Sequence, residues 1–519
     1  MRPRVRFVIP PIAALLCCAW IGSILAGENN SSYRAALESI RADALLDDVG
    51  QLAGPDMEGR EAGTRGGHAA GEYLAGQYAR LRLRGAGDEG GFFQPFAPNF
   101  RNILSMLRGG DARLRDEVIV VCAHYDHIGY GENGLSRIGP GYLHPGADDN
   151  ASGTSAVLEL AKAMMLLATP PKRSILFAAW DAEEKGLLGS RHWTSHPTVP
   201  LDRVVAAINL DMVGRLHDRR LTVFASRSAA GWRRLVSFEN RNAGLLLDFS
   251  WSLERSADHA PFFEHGIPVL LFHTGLHDEY HRPNDTAKLI NGDGMADITR
   301  LLFGVVHELA NRPASLPFRD AASQESPETE AAIVEETPKP VDRLGVEWID
   351  SAASAGGILV SQVEPDSPAD RAGVRPGDRI TRVAGRDIRS DEDFYSALSV
   401  APITITCVLV RADEKEPATV RVSLRGEPVR WGIQWRADAA EPGAIILTHV
   451  TPGTPAAWAG LKPGDRIYQV AGRDFVDEAA FLRLVDSAGE AMPLLVERSG
   501  RVRTVVLHVR RVAPLKRAA

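Results

Sequence analysis

The stretch "DEVIVVCAHYD", residues 116–126, is a short apolar run that ends in charged residues. Such a run, rich in β-branched residues, is typical of a buried strand, and the polar groups that close it need partners if they are buried. A second run of this kind, "KRSILFAAWDAEE", covers residues 172–184. Between them, "SGTSAVLELAKAMMLL", residues 152–167, has the apolar spacing of a helix. Strand and helix therefore alternate along this part of the chain.

Helical sequence also lies on both sides of these strands. Residues 32–84 carry apolar residues at three- and four-residue spacing, and so does "ITRLLFGVVHELAN", residues 298–311. The alternation predicts an α/β domain over residues 32–311, with a mixed, mostly parallel sheet flanked by helices. In such sheets the ligand site lies beyond the carboxyl ends of the strands, where the charged residues fall here.

Length and charge set the broad limits. The chain has 519 residues, which predicts about three structural units. Its composition is 45% hydrophobic and 24% charged, as in globular proteins, and its net charge is -7. A protein that binds nucleic acid needs clustered lysine and arginine to neutralise phosphates, so this balance argues against DNA or RNA as a partner.

The N-terminus has the pattern of a secretory signal. Three arginines among the first six residues precede an apolar run over residues 7–25, and small residues near Ala26 and Gly27 offer a cleavage site. We predict a signal peptide over residues 1–27 and export to the periplasm or the extracellular space. The alternative is an uncleaved membrane anchor, since the run approaches the length of a bilayer span. No other apolar run reaches that length, so we expect no stable membrane span after signal removal.

The C-terminal part of the chain repeats itself after a change of composition. Residues 312–342 are rich in Pro, Glu, Ser and Ala without periodicity, which predicts a solvated linker. Beyond it, "AGVRPGDRITRVAGRDI", residues 372–388, returns as "AGLKPGDRIYQVAGRDF", residues 459–475. Two copies predict tandem small domains over residues 343–425 and 428–512.

Each copy resembles a PDZ domain, which is a small β-rich fold. The segments "LGVEW" and "WGIQW" stand where that family has its carboxylate-binding loop, and Gly345 and Gly432 match only the central glycine of the loop. The resemblance implies a groove between a strand and a helix that binds an extended peptide tail, either of a substrate or of a protein partner.

Metal-ligand residue types recur at the ends of the predicted strands in the first domain. They are His124, Asp126, Asp148, Asp149, Glu183, Glu184, Asp211 and His281. Imidazoles with several carboxylates suit zinc, or less selectively cobalt or manganese. Singly, each has a structural interpretation: the aspartate pair at 148 and 149 could cap the helix that follows, and the glutamate pair could be a solvated first turn.

The order of these motifs resembles the co-catalytic di-zinc aminopeptidases of metallopeptidase family 28. The matching elements are His-x-Asp, "GADDNASG", Glu-Glu-x-Gly, "NLDM" and a late His before Pro-x-Asp-Thr, and the likeness covers residues 35–311. It implies two Zn2+ ions. His124 and Asp211 would hold one ion, Glu184 and His281 the other, and Asp148 would bridge them.

The resemblance also implies roles for the neighbours of the ligands. Glu183 would be the general base that accepts a proton from a zinc-activated water, and Asp126 would support His124 from behind. Asp149 would shape the backbone beside the bridge. Other residues placed near the site without a metal role are Asp258, His259, Tyr280 and His127.

These expectations describe an exported metallo-aminopeptidase that hydrolyses N-terminal residues from peptides. Two alternatives stay open: a carboxypeptidase of the same family, and an inert scaffold whose PDZ domains only bind peptides. Single-zinc glutaminyl cyclases also belong to the family, but the intact "ADD" and "EE" segments favour two metals and hydrolysis.

Overall fold

The structure is a computed structural model that describes residues 30–335, 342–349, 356–426, 428, 431–452 and 454–508. The signal peptide predicted for residues 1–27 lies outside these residues. The described residues form two compact units. The first runs to Pro327 and also includes Ser499–Arg501, and the second comprises the other residues from Glu328 onward. Among the described residues, no helix combines the length and the hydropathy that a bilayer span requires.

The first unit is built on a nine-stranded sheet with the order β1-β3-β5-β4-β6-β9-β7-β8, and β2 pairs with β3. The strands are β1 Arg84–Gly85, β2 Phe93–Phe96, β3 Phe100–Leu107, β4 Val118–His124, β5 Ser174–Trp180, β6 Val204–Leu210, β7 Arg220–Phe224, β8 Leu246–Phe249 and β9 Val269–His273. The central strands β5, β4, β6 and β9 are parallel, whereas β3 and β7 pair antiparallel with β5 and β9. The predicted α/β fold with a mixed sheet is confirmed.

Helices cover both faces of this sheet. They are α1 over residues 30–39, α2 Ala42–Leu52, α3 Arg65–Arg80, α4 Gly153–Met164, α5 Leu188–Ser195, α6 Trp232–Glu239, α7 Ala260–Glu264 and α8 Gly292–Asn311. Alternate residues of β4 enter different cores: Ile119 and Val121 pack in the cluster that contains α4 and α8, and Val120 packs with Trp193 and Phe262 of α5 and α7. Because both faces are covered, all seven residues of β4 are buried, which explains its continuous apolar sequence.

The segment that follows α8 differs from the solvated linker expected there. Leu316 and Ala322 are buried, Phe318 packs on the hydrophobic core, and a 3-10 helix spans Asp320–Gln324. A further helix, α9, covers Pro327–Glu335. The segment has few apolar residues, but those few pack on the hydrophobic core. Residues up to about Pro327 therefore belong to the first unit.

A charged cluster fixes the same segment. Glu325 lies 2.7 Å from Arg227 Nε and 2.9 Å from an Arg319 guanidinium nitrogen, and 15% of its side chain is exposed. Burial raises the pKa of Glu325, but hydrogen bonds from Arg227 and Arg319 outweigh that effect and hold the pKa at about 2. Folding therefore stabilises the charged carboxylate of Glu325 relative to its protonated form.

We expect Glu325→Gln to destabilise the first unit at neutral pH by about 1 kcal/mol, since partial exposure screens the pairs. Because the folded-state pKa is depressed, the contribution is complete above the unfolded value of about 4.3 and is lost as pH falls toward 2. Calorimetry should show a melting midpoint lower by about 2 °C at pH 7 and a smaller difference at pH 3. The exposed Glu38→Gln is the control, and an equal difference at both pH values would contradict the assignment.

The second unit contains two six-stranded antiparallel sheets of identical order, β10-β11-β12-β14-β15 with β13 on β12, and β16-β17-β18-β20-β21 with β19 on β18. The strands of the first sheet are β10 Val346–Ile349, β11 Ile358–Val363, β12 Arg379–Val383, β13 Arg386–Asp387, β14 Thr404–Val410 and β15 Ala418–Ser423. Those of the second are β16 Ile433–Arg436, β17 Ile445–Val450, β18 Arg466–Val470, β19 Arg473–Asp474, β20 Ala491–Arg498 and β21 Arg501–His508. The accompanying helices are α10 Pro368–Arg371, α11 Asp391–Ser399, α12 Pro455–Trp458 and α13 Glu478–Ser487.

The two glycines of the predicted peptide-binding loops have a backbone reason to be glycine. Gly345 has φ +82° and Gly432 has φ +83°, a conformation that side chains disfavour. A Cβ atom at either position would also clash with a side chain, that of Ser367 or of Thr454. Each glycine immediately precedes the edge strand of its sheet, β10 or β16.

Candidate metal centre

The carboxyl ends of the central strands bring distant residues together. β4 ends at His124, β5 ends just before the Asp181–Glu184 segment, β6 ends just before Asp211, and β9 ends at His273. Since these four strands are parallel, their carboxyl ends lie at one edge of the sheet. The position of the site predicted from the sequence therefore follows from the topology.

One group of donors forms around His124. Its Nε2 atom lies 3.4 Å from Asp149 Oδ1 and 3.4 Å from Asp211 Oδ1. The His124 side chain is 2% exposed, so water competes little at this position. One nitrogen and two carboxylate oxygens thus converge in a space that suits a single cation.

A second group lies on the other side of Asp149. His281 Nε2 is 3.1 Å from Asp149 Oδ2 and 3.3 Å from Glu184 Oε2. His127 Nδ1 is 2.9 Å from Glu184 Oε1 and 3.6 Å from Asp149 Oδ2. The four residues place one donor atom each within 4.8 Å of one another, and Asp149 is the residue common to both groups.

The geometry corrects the expectation for the aspartate pair. Asp148, expected as the bridge, belongs to neither group of converging donors. Its Oδ1 accepts the Gly214 amide at 2.6 Å, and its Oδ2 lies 3.2 Å from His277 Nε2. Consecutive side chains diverge, and the turn over Ala147–Ser152 directs Asp149 toward the two groups and Asp148 away from them.

Asp285 fixes this turn from its other side. Its carboxylate accepts the amides of Asp148 at 3.1 and 3.0 Å and of Asp149 at 3.2 Å. Burial raises the pKa of Asp285 to about 6, and the charge of Asp148 acts in the same direction. Asp285 is part of the late "RPNDT" segment, so the loop that carries His281 also holds the turn that carries Asp149.

Asp126 supports the site differently from what the sequence suggested. Its Oδ1 is 3.8 Å from His124 Nδ1, whereas its backbone carbonyl is 3.2 Å from that nitrogen. The carboxylate instead accepts the amides of Glu183 at 3.0 Å and Glu184 at 3.4 Å. Asp126 therefore holds the glutamate turn, and its main chain contacts the imidazole.

The adjacent glutamates have different surroundings. Burial raises the pKa of Glu183 well above its usual range, with His124 opposing and Glu184 reinforcing that shift. For Glu184 burial acts in the same direction, but the nearby imidazoles of His127 and His281 outweigh it and lower the pKa. Glu184 is thus a stable carboxylate, and Glu183 is a buried carboxyl group with a high proton affinity.

The donor set fits a zinc centre. Buried atoms without a hydrogen-bond partner among the described residues include Asp211 Oδ1 and His281 Nε2, and both face the candidate ion positions. Several buried carboxylates repel one another unless positive charge lies between them. Nitrogen and carboxylate oxygen donors are the ligands that zinc takes in hydrolytic sites.

The remaining residues of the sequence prediction lie around the donors. Tyr280 stacks on His281 with ring centroids 3.9 Å apart. Asp258 is buried and accepts the Ser190 hydroxyl at 2.5 Å, and burial raises its pKa to about 6. His259 Nε2 lies 2.6 Å from the Leu253 carbonyl oxygen. None of these three belongs to a group of converging donors among the described residues.

Two contributors were not anticipated. His127 was expected as a neighbour but lies among the donors of the second group, and His277 contacts Asp148. The sequence signal for His127 was its position in "HYDHIG", three residues after His124. That spacing alone does not tell which imidazole faces inward, because the segment leaves the strand after His124.

Taken together, these features define a metal-site domain of the α/β class followed by two small antiparallel β domains. Residues 102–306 match the sequence profile of peptidase family M28, and residues 359–410 and 446–498 each match that of the PDZ domain. The chain therefore carries a peptidase family M28 domain followed by two PDZ domains, which confirms the architecture predicted from the sequence.

Two curated proteins are similar to parts of this chain. "Aminopeptidase YwaD" of Bacillus subtilis is 32% identical over 222 residues, which cover 41% of this chain and 45% of that protein. "Leupeptin-inactivating enzyme 1" of Streptomyces exfoliatus is 29% identical over 177 residues, covering 32% and 34%. The chain thus spans less than half the length of these two curated relatives.

Solved structures that match part of this chain include the Legionella pneumophila LapA aminopeptidase. It has a TM-score of 0.46 and 23% identity, covering 55% of this chain and 75% of that one. The Bacillus subtilis zinc aminopeptidase BSAP has a TM-score of 0.42 and 20% identity, covering 54% and 98%.

Proposed function

We propose that this protein is a zinc-dependent aminopeptidase that removes N-terminal residues from peptides. The observation that carries the proposal is a pair of donor groups that share Asp149. The Glu183 carboxyl lies close enough to His124 for their charges to interact. His124, Asp149 and Asp211 would hold one ion; Asp149, Glu184 and His281 would hold the other. His127 would orient Glu184 through the contact of 2.9 Å between Nδ1 and Oε1.

The residues of the chain have separate tasks in the reaction. Zinc, when bound, supplies a Lewis acid that polarises the peptide carbonyl and lowers the pKa of water. Glu183 accepts the proton of the attacking water and returns it to the leaving amine, for which a high proton affinity is suitable. Asp126 keeps Glu183 and Glu184 in place through their backbone amides.

The name of the similar Bacillus subtilis protein, an aminopeptidase, favours an aminopeptidase over a carboxypeptidase. An inert scaffold is disfavoured because the donors converge in two groups and Glu183 is present next to the donor Glu184. A profile of peptides with free and blocked N-termini and C-termini tests this choice. Hydrolysis that requires a free N-terminus supports the proposal, and hydrolysis that requires only a free C-terminus overturns it.

The N-terminal signal pattern supports export to the periplasm or the extracellular space. Mass spectrometry of the mature protein tests this point. An N-terminus near residue 28 is expected after cleavage, and retention of residue 1 in a membrane fraction would indicate the anchor instead.

The PDZ domains would bind peptide tails of substrates or partners. In the first, the edge strand β10 faces α11, and Trp348 packs against Phe394 with ring centroids 5.1 Å apart. In the second, Trp435 packs against Phe481 of α13 at 5.6 Å. Strand, helix and the preceding glycine form the elements of a groove that adds a peptide as a further strand.

A truncation tests this role. We expect a chain that ends after Pro327 to keep its turnover of small aminoacyl amides and to act less well on long peptides. A chain that ends after Arg312 should lose stability as well, since it lacks Leu316, Ala322 and Glu325. Melting midpoints and kcat/KM for both substrate classes are the measurements. Equal losses on short and long substrates for the chain that ends after Pro327 would argue against peptide capture by the PDZ domains.

A further inference from the structure

Arg60 is a buried arginine whose contacts reach two of the segments that carry the metal donors. Its side chain is 0% exposed. Its Nε donates to the Tyr125 carbonyl oxygen at 2.8 Å. Its two terminal nitrogens donate to the carbonyl oxygens of Leu52 at 2.8 Å, Pro145 at 2.7 Å and Gly146 at 2.7 Å. One guanidinium group therefore joins the end of α2 to two loops of the peptidase domain.

These two loops are the ones that present donors to the candidate metal centre. Tyr125 directly follows the donor His124, and Gly146 directly precedes the turn over Ala147–Ser152 that carries Asp149. A carbonyl group that accepts a bond from a buried donor cannot turn away without leaving that donor unpaired, which is costly. The guanidinium therefore fixes the distance between the two loops.

The backbone around Arg60 is also tied to the donor segment. The His127 amide donates to the Arg60 carbonyl oxygen at 3.2 Å, and the Gly129 amide donates to that of Gly59 at 3.0 Å. Arg60 itself has φ +50°, which is uncommon for a residue with a side chain. At Gly59, with φ +67°, a Cβ atom would lie 2.5 Å from the His144 carbonyl oxygen. Such a backbone persists only where the surrounding contacts determine it, and here they bring Arg60 against the loops.

Arg60 carries a positive charge into a region rich in carboxylates. Among the described residues, its guanidinium bonds to carbonyl oxygens and forms no direct ion pair. Burial lowers the pKa of Arg60 to about 10, and the charges of Asp149, Asp285, Asp126 and Glu184 oppose that shift. The group is therefore a cation at neutral pH. A buried cation is costly unless nearby groups compensate it, and these carboxylates do so.

We propose that Arg60 is a positioning residue of the metal centre, which holds the loop over residues 124–127 and the Asp149 turn together so that the donors converge before zinc binds. The inference rests on the proposed zinc-dependent function and concerns the assembly of the centre. The charge of Arg60 and its hydrogen bonds act on zinc in opposite directions. The cation repels Zn2+, whereas donors that are ordered in advance favour binding. If ordering dominates, loss of Arg60 weakens zinc binding.

The test measures the zinc affinity of the full-length metal-free protein by competition with a chelator. Arg60→Met removes the charge and every donor at similar length, and it should weaken zinc binding about 10- to 100-fold, the range for groups that orient metal ligands. Arg173→Met is the matched control. Arg173 is 1% exposed and donates to two carbonyl oxygens and to Glu117, but it precedes β5, whose other end carries the donors. This control should lower the melting midpoint and leave zinc affinity unchanged.

Arg60→Lys separates charge from position and decides the question if Arg60→Met does not fold. Lysine keeps the charge, but its single ammonium cannot span the four carbonyl oxygens that the planar guanidinium reaches. We expect zinc binding about tenfold weaker than in the wild type. Wild-type affinity in Arg60→Lys, or unchanged or tighter binding in Arg60→Met, would overturn the inference. An equal loss of affinity in Arg173→Met would also overturn it, because general destabilisation would then explain the effect.

The rise in melting midpoint on addition of zinc is a second measurement. That rise depends on Kd, so at a fixed zinc concentration it should be smaller in Arg60→Met than in the wild type and unchanged in Arg173→Met. Neither measurement requires turnover. A wild-type protein that binds zinc without hydrolysing peptides would refute the aminopeptidase proposal and leave this inference standing, whereas a wild-type protein that binds no zinc would overturn both.

Discussion

Glu183→Gln is expected to lower kcat for leucinamide by about 10³-fold while the zinc content stays that of the wild type. Glutamine preserves the shape of the side chain but cannot accept the proton of the attacking water. The Glu183 carboxyl belongs to neither donor group, so its replacement leaves the donors in place. Initial rates on leucinamide and elemental analysis of the desalted protein are the two measurements.

Glu184→Gln is the matched comparison for that variant. Glu184 is in the second donor group with His281 and Asp149, so its replacement should lower zinc content as well as activity. The two neighbouring substitutions thus separate proton transfer from metal binding. Wild-type activity in Glu183→Gln would eliminate this residue as the base, and loss of zinc in that variant would place it among the ligands.

The second large effect is expected at the aspartate pair. Asp149→Asn should release zinc from both positions and reduce activity by at least about 10³-fold, because an amide offers one neutral oxygen where the structure places two carboxylate oxygens. Asp148→Asn should retain zinc, since the amide oxygen can still accept the Gly214 amide. Zinc content after exhaustive dialysis and residual activity after zinc is restored are the measurements.

The opposite pattern would restore the assignment made from the sequence. If Asp148→Asn lost both ions and Asp149→Asn kept them, Asp148 would be the bridge. A circular dichroism spectrum of each variant controls for unfolding, because both residues lie in a turn that Asp285 holds through backbone amides.

The donors at strand ends could be predicted because the topology is regular. His124 ends β4 and Asp211 follows β6, and these strands are parallel neighbours. Any carboxylate or imidazole at such an end lies at the same edge of the sheet, so its place follows from the order of elements alone. His281 was found instead through the likeness of its motif, since it lies in a loop far from any strand end that the periodicity reveals.

The composition of the segment after α8 predicted a solvated linker, whereas part of the segment packs on the core. Composition averages over many residues, whereas packing needs only a few anchors. Leu316, Phe318 and Ala322 lie in an otherwise polar segment, and the charged residues Arg319 and Glu325 pair with each other. A polar composition lowers the expectation of order, but it does not exclude a segment that binds to an existing core.

The sequence by itself determined the succession of an M28 peptidase domain and two PDZ domains, and it determined which residue types meet at the site. Hydrophobic periodicity and motif order are local properties, so they can be read along the chain. Only the tertiary structure showed that Asp149, and not Asp148, lies among the converging donors and that His127 lies there too. Those choices depend on the direction of side chains in irregular turns, which is fixed by contacts such as those of Gly214 and Asp285 from distant parts of the chain.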